Sequence, residues 1–93
     1  MNYILEDKKA VECDDIVKWA TWFGSADRIV KKTMIGDVKI STVFLGIDHS
    51  FGDGDVELFE TMIFGGKHDE WMDRYSTWTD AEKGHELACK MVG

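Results

Sequence analysis

The sequence predicts an α+β domain, an antiparallel sheet of about four to six strands with two helices, in the order β-β-α-β-β-β-β-α. Three observations carry that reading. Residues 38–64 spell a long hairpin: Val38–Ile47 and Val56–Phe64 are rich in β-branched and aromatic residues, and the Gly/Asp/Ser segment Asp48–Asp55 separates them. Ile16, Trp19, Ala20 and Phe23 fall at i, i+3, i+4 and i+7, an apolar stripe at helical period. Thr79-Asp80-Ala81-Glu82 has the spacing of a capping box at the head of a second helix. The 93 residues make a single domain, 1–93.

The elements follow in order. Tyr3-Ile4-Leu5 and Ala10-Val11-Glu12-Cys13 are short strands around the polar turn Glu6-Asp7-Lys8-Lys9. Asp14 or Asp15 caps the first helix, and Gly24 stands where a C′ glycine stops it. Trp22 lies at the edge of its stripe. Asp27–Ile35 reads as a strand, and Gly36-Asp37 turns it into the central hairpin. Lys31 and Thr33 alternate with Val30, Lys32 and Met34 too imperfectly to mark a wet face. Gly65–Glu70 is a turn and Trp71–Thr77 a last strand. The second helix runs from about Asp80 to Met91, with Ala81, His85 and Ala88 on its inner face and Leu87 beside them; Ala81, Gly84 and Ala88 allow close packing on the sheet.

The hairpin strands are apolar on both parities: Ile40 and Phe44 against Val43, Leu45 and Ile47, then Leu58, Met62 and Phe64 against Phe59 and Ile63. Such strands are covered on both faces or lie in an interface, and two helices on one face leave the other bare. Homodimerisation or partner binding through the sheet is one expectation; the alternative is that the long hairpin twists, so that each end buries a different face.

Charge narrows the partner. Eighteen acids against 11 bases leave a net charge of −7, which repels nucleic-acid phosphates and anionic membranes. Direct nucleic-acid and membrane binding are not expected, and no apolar run approaches the roughly 20 residues of a membrane span. No secretory leader opens the chain, and Cys13 and Cys89 stand outside any zinc spacing, so two free thiols in a cytoplasm are expected.

No Lys or Arg occurs between Lys39 and Lys67, whereas Asp48, Asp53, Asp55, Glu57 and Glu60 do. Asp53, Asp55 and Glu57 offer oxygens at alternate positions. The EF-hand pattern fails, because Leu58 and Phe64 stand where its glycine and glutamate belong. Asp48-His49, with Glu60 facing them across the hairpin, would suit a small metal-dependent hydrolase or nucleotide-binding protein, with His85 nearby; an Asx-type turn is the structural reading of Asp48. Nucleophile motifs and a phosphate cradle are absent, so no catalytic residue, metal ligand or cofactor is assigned. Phe51 stands in a glycine-rich loop tip with little to bury it, which fits an anchor at a protein interface.

The segments Ser41–His49, Leu58–Gly66 and Arg74–Trp78, together with Gly84-His85, resemble a group of small uncharacterised proteins encoded by bacteriophages and prophages. The likeness covers roughly residues 15–86. It implies a phage accessory protein in the cytoplasm of a host bacterium and brings no catalytic residue with it. Arg74, Tyr75 and His85 are expected to join a polar network with the other polar residues of these segments, or to line a shared site. The combined expectation is a non-enzymatic protein that binds a host or phage protein. Asp48, His49, Phe51, Asp53, Asp55, Glu57 and Glu60 would form its surface. Inhibition of a bacterial defence or nucleic-acid-handling complex would suit its size and charge.

Overall fold

A computed structural model describes residues 1–51 and 54–93. The order is the expected one: β1 (Tyr3–Glu6), β2 (Lys9–Glu12), α1 (Ile16–Ser25), β3 (Ile29–Ile35), β4 (Val38–Phe44), β5 (Phe59–Phe64), β6 (Met72–Tyr75) and α2 (Trp78–Val92). The strands divide into two antiparallel sheets, the small hairpin β1-β2 and a four-stranded meander β3-β4-β5-β6.

Register decides what each strand buries. Phe44 pairs with Phe59, Thr42 with Thr61 and Ile40 with Ile63, and all six are buried. Side chains alternate across a pleated strand, so these six share one face. The helix α2 lies on that face and touches all four strands of the meander. Phe44, Leu58, Phe59 and Ala81 form one apolar cluster, against which Tyr3 and Leu5 of β1 and Trp22 of α1 also pack. Ile40, Ile63 and Ala88 form a second cluster toward the far end of α2.

Several expectations about local structure are corrected. The central strands stop at Phe44 and resume at Phe59, short of the predicted ends. Gly46 has φ +78°, and the Phe23 ring lies 2.7 Å from where a β-carbon would stand, so the chain leaves the ladder there. Pairing continues irregularly beyond it, through Leu45 N–H to the Leu58 carbonyl and His49 N–H to the Glu57 carbonyl.

The half-buried side of α1 is Trp19, Trp22 and Phe23, which keeps two members of the predicted stripe and loses the other two; Ile16 and Val17 are 61% and 71% exposed and Ala20 also faces water. The tryptophans set this rotation. Trp19 donates its indole N–H to the carbonyls of Tyr3 and Gly46, and Trp22 meets Phe44 edge-on at 5.7 Å. Larger aromatic area outweighs one isoleucine and one alanine. The helix also runs through Gly24 to Ser25, and Ala26 closes it in an extended conformation.

Asp15 is the N-cap of α1. Its carboxylate accepts from the N–H groups of Val17 and Lys18, at 3.0 and 3.1 Å. Asp15→Ala is expected to lower stability by about 1 kcal/mol in urea titration. Asp14→Ala, which removes no cap, should leave the midpoint unchanged.

The second helix starts two residues earlier than its capping box predicts. Thr77 is the N-cap, with its hydroxyl accepting from Asp80 N–H. Starting there lets Trp78 pack edge-on against Phe59. Leu87 is 56% exposed, outside the buried face formed by Ala81, Gly84, His85 and Ala88.

Candidate functional site

Between the two apolar clusters lies a buried polar layer. His85 of α2 points onto the sheet and is fully buried. Its Nδ1 lies 2.7 Å from the Thr42 hydroxyl and its Nε2 lies 2.8 Å from the Thr33 hydroxyl. Thr42 also shares a hydrogen bond with Thr61 of the next strand. The layer thus ties β3, β4, β5 and α2 together, and each ring nitrogen has a partner, as a buried imidazole requires. Burial pushes the His85 imidazole below its ordinary value; the Lys31 ammonium adds to the shift and Glu86 opposes it. The ring is therefore neutral at pH 7 and sits as a structural hub.

Tyr75 of β6 closes the layer over α2. A β-carbon on Gly84 would overlap its ring and hydroxyl, so only glycine lets the helix approach this strand. Burial pushes the Tyr75 phenol up, and the nearby Thr61 hydroxyl offsets only part of that rise. The Tyr75 hydroxyl makes no hydrogen bond of good geometry.

Three of the residues in this layer, Thr33, Thr42 and Thr61, went unmarked in the sequence. A signal existed. Thr42 sits between Ile40 and Phe44 on one parity, and Thr61 between Phe59 and Ile63. A polar residue repeated inside two buried faces, opposite a histidine on an apolar helix face, predicts a paired hydroxyl layer. The segments Ser41–His49, Leu58–Gly66 and Arg74–Trp78 meet Gly84-His85 here, through Thr42, Thr61 and Tyr75.

Arg74 does not belong to this layer. It pairs across the ladder with Glu60 on the opposite face of the sheet, and its Nε lies 3.1 Å from the Glu60 carboxylate. Alternation explains the correction, since Arg74 and Tyr75 are neighbours and must point to opposite faces. The same register places Glu60 opposite Val43, not opposite Asp48-His49. Glu60 and His85 are therefore separated by the sheet, and the gathering of Asp48, His49, Glu60 and His85 that the alternative hydrolase reading needs does not form. Among the described residues, no three His, Cys, Asp or Glu side chains group so as to hold a metal ion.

Asp48 has a structural task. Its Oδ1 accepts from the N–H of Glu57 at 2.9 Å and of Ser50 at 2.8 Å, an Asx-type turn that clamps the two arms of the loop. Those bonds, the Glu57 N–H first, hold its carboxyl below the usual carboxylate range. Beyond the clamp His49 and Asp55 are exposed and Glu57 is half-buried. Phe51 is 95% exposed. Asp53 lies outside the described residues.

The face of the meander turned away from α2 carries no other element among the described residues. Its first row is Met34, Lys39 and Phe64, with the Lys39 ammonium 4.6 Å from the centre of the Phe64 ring. The second is Lys32, Ser41, Met62 and Met72. The third is Ile29, Val43 and the Glu60–Arg74 pair. Ile29, Met34, Phe64 and Met72 are between 41% and 59% exposed. Scattered exposed apolar residues need no explanation, but these four lie on one continuous sheet face.

Among the described residues, no helix is long and apolar enough to cross a membrane. The chain matches no family model, no curated protein and no solved structure.

Proposed function

We propose that this chain is a non-enzymatic binding protein, a bacteriophage or prophage accessory product acting in the cytoplasm of its host, that docks on a host or phage protein. The open face of the meander is the principal contact, and the acidic loop with His49, Phe51, Asp53, Asp55 and Glu57 is the second. The observation that supports this most strongly is the bare sheet face with Ile29, Met34, Phe64 and Met72 exposed together. A single copy leaves this area in water, where its burial would contribute roughly 25 cal/mol per Å². Phe51, standing free in the loop, supplies an aromatic anchor of the kind that dominates interface energetics. Inhibition of a bacterial defence or nucleic-acid-handling complex fits an acidic protein of this size, acting on the protein components and not on the nucleic acid.

The test compares what immobilised variants capture from a bacterial lysate. Met34→Asp/Phe64→Asp should abolish capture of the proteins held by the wild type, and Phe51→Ala should weaken it. Leu87→Asp, an equal change at an exposed position of α2, should leave capture intact. Identical captured proteins with all four chains would overturn the proposal.

A further inference from the structure

The open face differs in charge from the chain that carries it. Phe64, Met62, Met72, Val43 and Ile29 form a diagonal apolar band, running from the Phe64 end of β5 to the Ile29 end of β3. On one side of the band stand Lys32 and Lys39, neither within ion-pair distance of a carboxylate among the described residues. On the other side Arg74 is neutralised by Glu60. Three bases against one acid leave this face with two positive charges, in a chain whose net charge is −7.

We propose that this band receives one face of an amphipathic helix whose apolar stripe is flanked by carboxylates, presented by another protein. The proposal rests on the docking role given to this face above and names the chemistry of the partner. A helix is about 10 Å across, and strands about 4.8 Å apart give the four-stranded face room for a single one. The partner helix would cover this side of the sheet as α2 covers the other, and its flanking carboxylates would pair with Lys32 and Lys39. Two methionines in the band supply side chains that mould to an irregular apolar surface. The overall negative charge does not forbid such a partner, because it is screened beyond about 8 Å at physiological salt while the two lysines act at contact.

The same charges argue against other occupants. A second copy packed face to face would set one net positive face against another. Single-stranded nucleic acid needs a basic groove with several stacking aromatics, whereas this face has one aromatic ring, already covered by Lys39, on an acidic chain.

The test uses two synthetic helical peptides with the same leucine stripe, one flanked by glutamates and one by lysines, titrated into the full chain with the methionine methyl resonances as readout. The glutamate peptide should bind more tightly and shift Met62 and Met72. Lys32→Glu/Lys39→Glu should weaken it about tenfold and favour the lysine peptide instead. Equal binding of the two peptides, tighter binding of the lysine peptide, or no binding of either overturns the inference. So does displacement of the glutamate peptide by oligothymidylate, or a dimer that occludes the face. The failures are separable. If Met34→Asp/Phe64→Asp still abolishes lysate capture while the peptides show no charge preference, the docking role stands and the acidic helix falls; if capture is unaffected, both fall.

Discussion

Replacing His85 with alanine is expected to destabilise the fold by about 3 kcal/mol. The change deletes a fully buried side chain, for which large-to-small core substitutions cost about 2–5 kcal/mol. It also removes a partner from Thr42 and Thr33, although Thr42 keeps Thr61. In a domain of this size the melting temperature should fall on the order of 15 °C. A fall of only a few degrees would mean that the layer between the two clusters is not packed as described. His85→Leu restores apolar volume and should recover part of the loss.

The same residue sets a pH dependence. The folded chain holds His85 neutral, below its ordinary pKa of 6.5, whereas the unfolded chain protonates it near that value. The unfolded state therefore binds more protons as pH falls. The contribution of this group is fully present above about pH 6.5 and is lost as pH drops from there toward the depressed folded value. The slope is at most about 1.4 kcal/mol per pH unit, the limit for a single proton. Urea titrations across that window should show the slope in the wild type and lose this component in His85→Leu. An unchanged profile in the variant would remove His85 as its source.

Gly84→Ala should destabilise the chain by about 2 kcal/mol, the reverse of what an exposed helical glycine would do. Helix propensity alone favours alanine by about 1 kcal/mol. Here the new methyl would overlap the Tyr75 ring, and overpacking of a well-filled core costs about 1–3 kcal/mol, occasionally more. A double-mutant cycle separates the two effects. In a Tyr75→Ala background the clash is gone, and Gly84→Ala should turn stabilising by roughly 0.5–1 kcal/mol. The same destabilisation in both backgrounds would place the cause outside the Tyr75 contact.

Element order was legible because it depends on patterns that survive any register: β-branched runs, a helical stripe, turn residues. What went astray was decided by long-range packing. The capping box at Thr79 was outweighed by Trp78 seeking Phe59, and the Ile16 and Ala20 part of the α1 stripe by a rotation that lets Trp19 and Trp22 reach carbonyl and ring partners. Register itself is invisible in one sequence, and it alone sends Glu60 and Arg74 to one face and Thr61 and Tyr75 to the other. The alternative metal constellation of Asp48, His49 and Glu60 failed on that point. The two-sided apolar character of the hairpin was legible, and one side of it is now accounted for by α2.

The other side is open within a single copy. A soluble paramagnetic agent tests this directly through the methyl resonances of Met34 and Met72 in dilute, monomeric protein. Both should broaden strongly, as their 59% and 44% exposure requires, and both should become shielded when a partner is bound. Methyls already shielded in the free monomer would mean that the chain covers this face itself, leaving no surface for the partner proposed here.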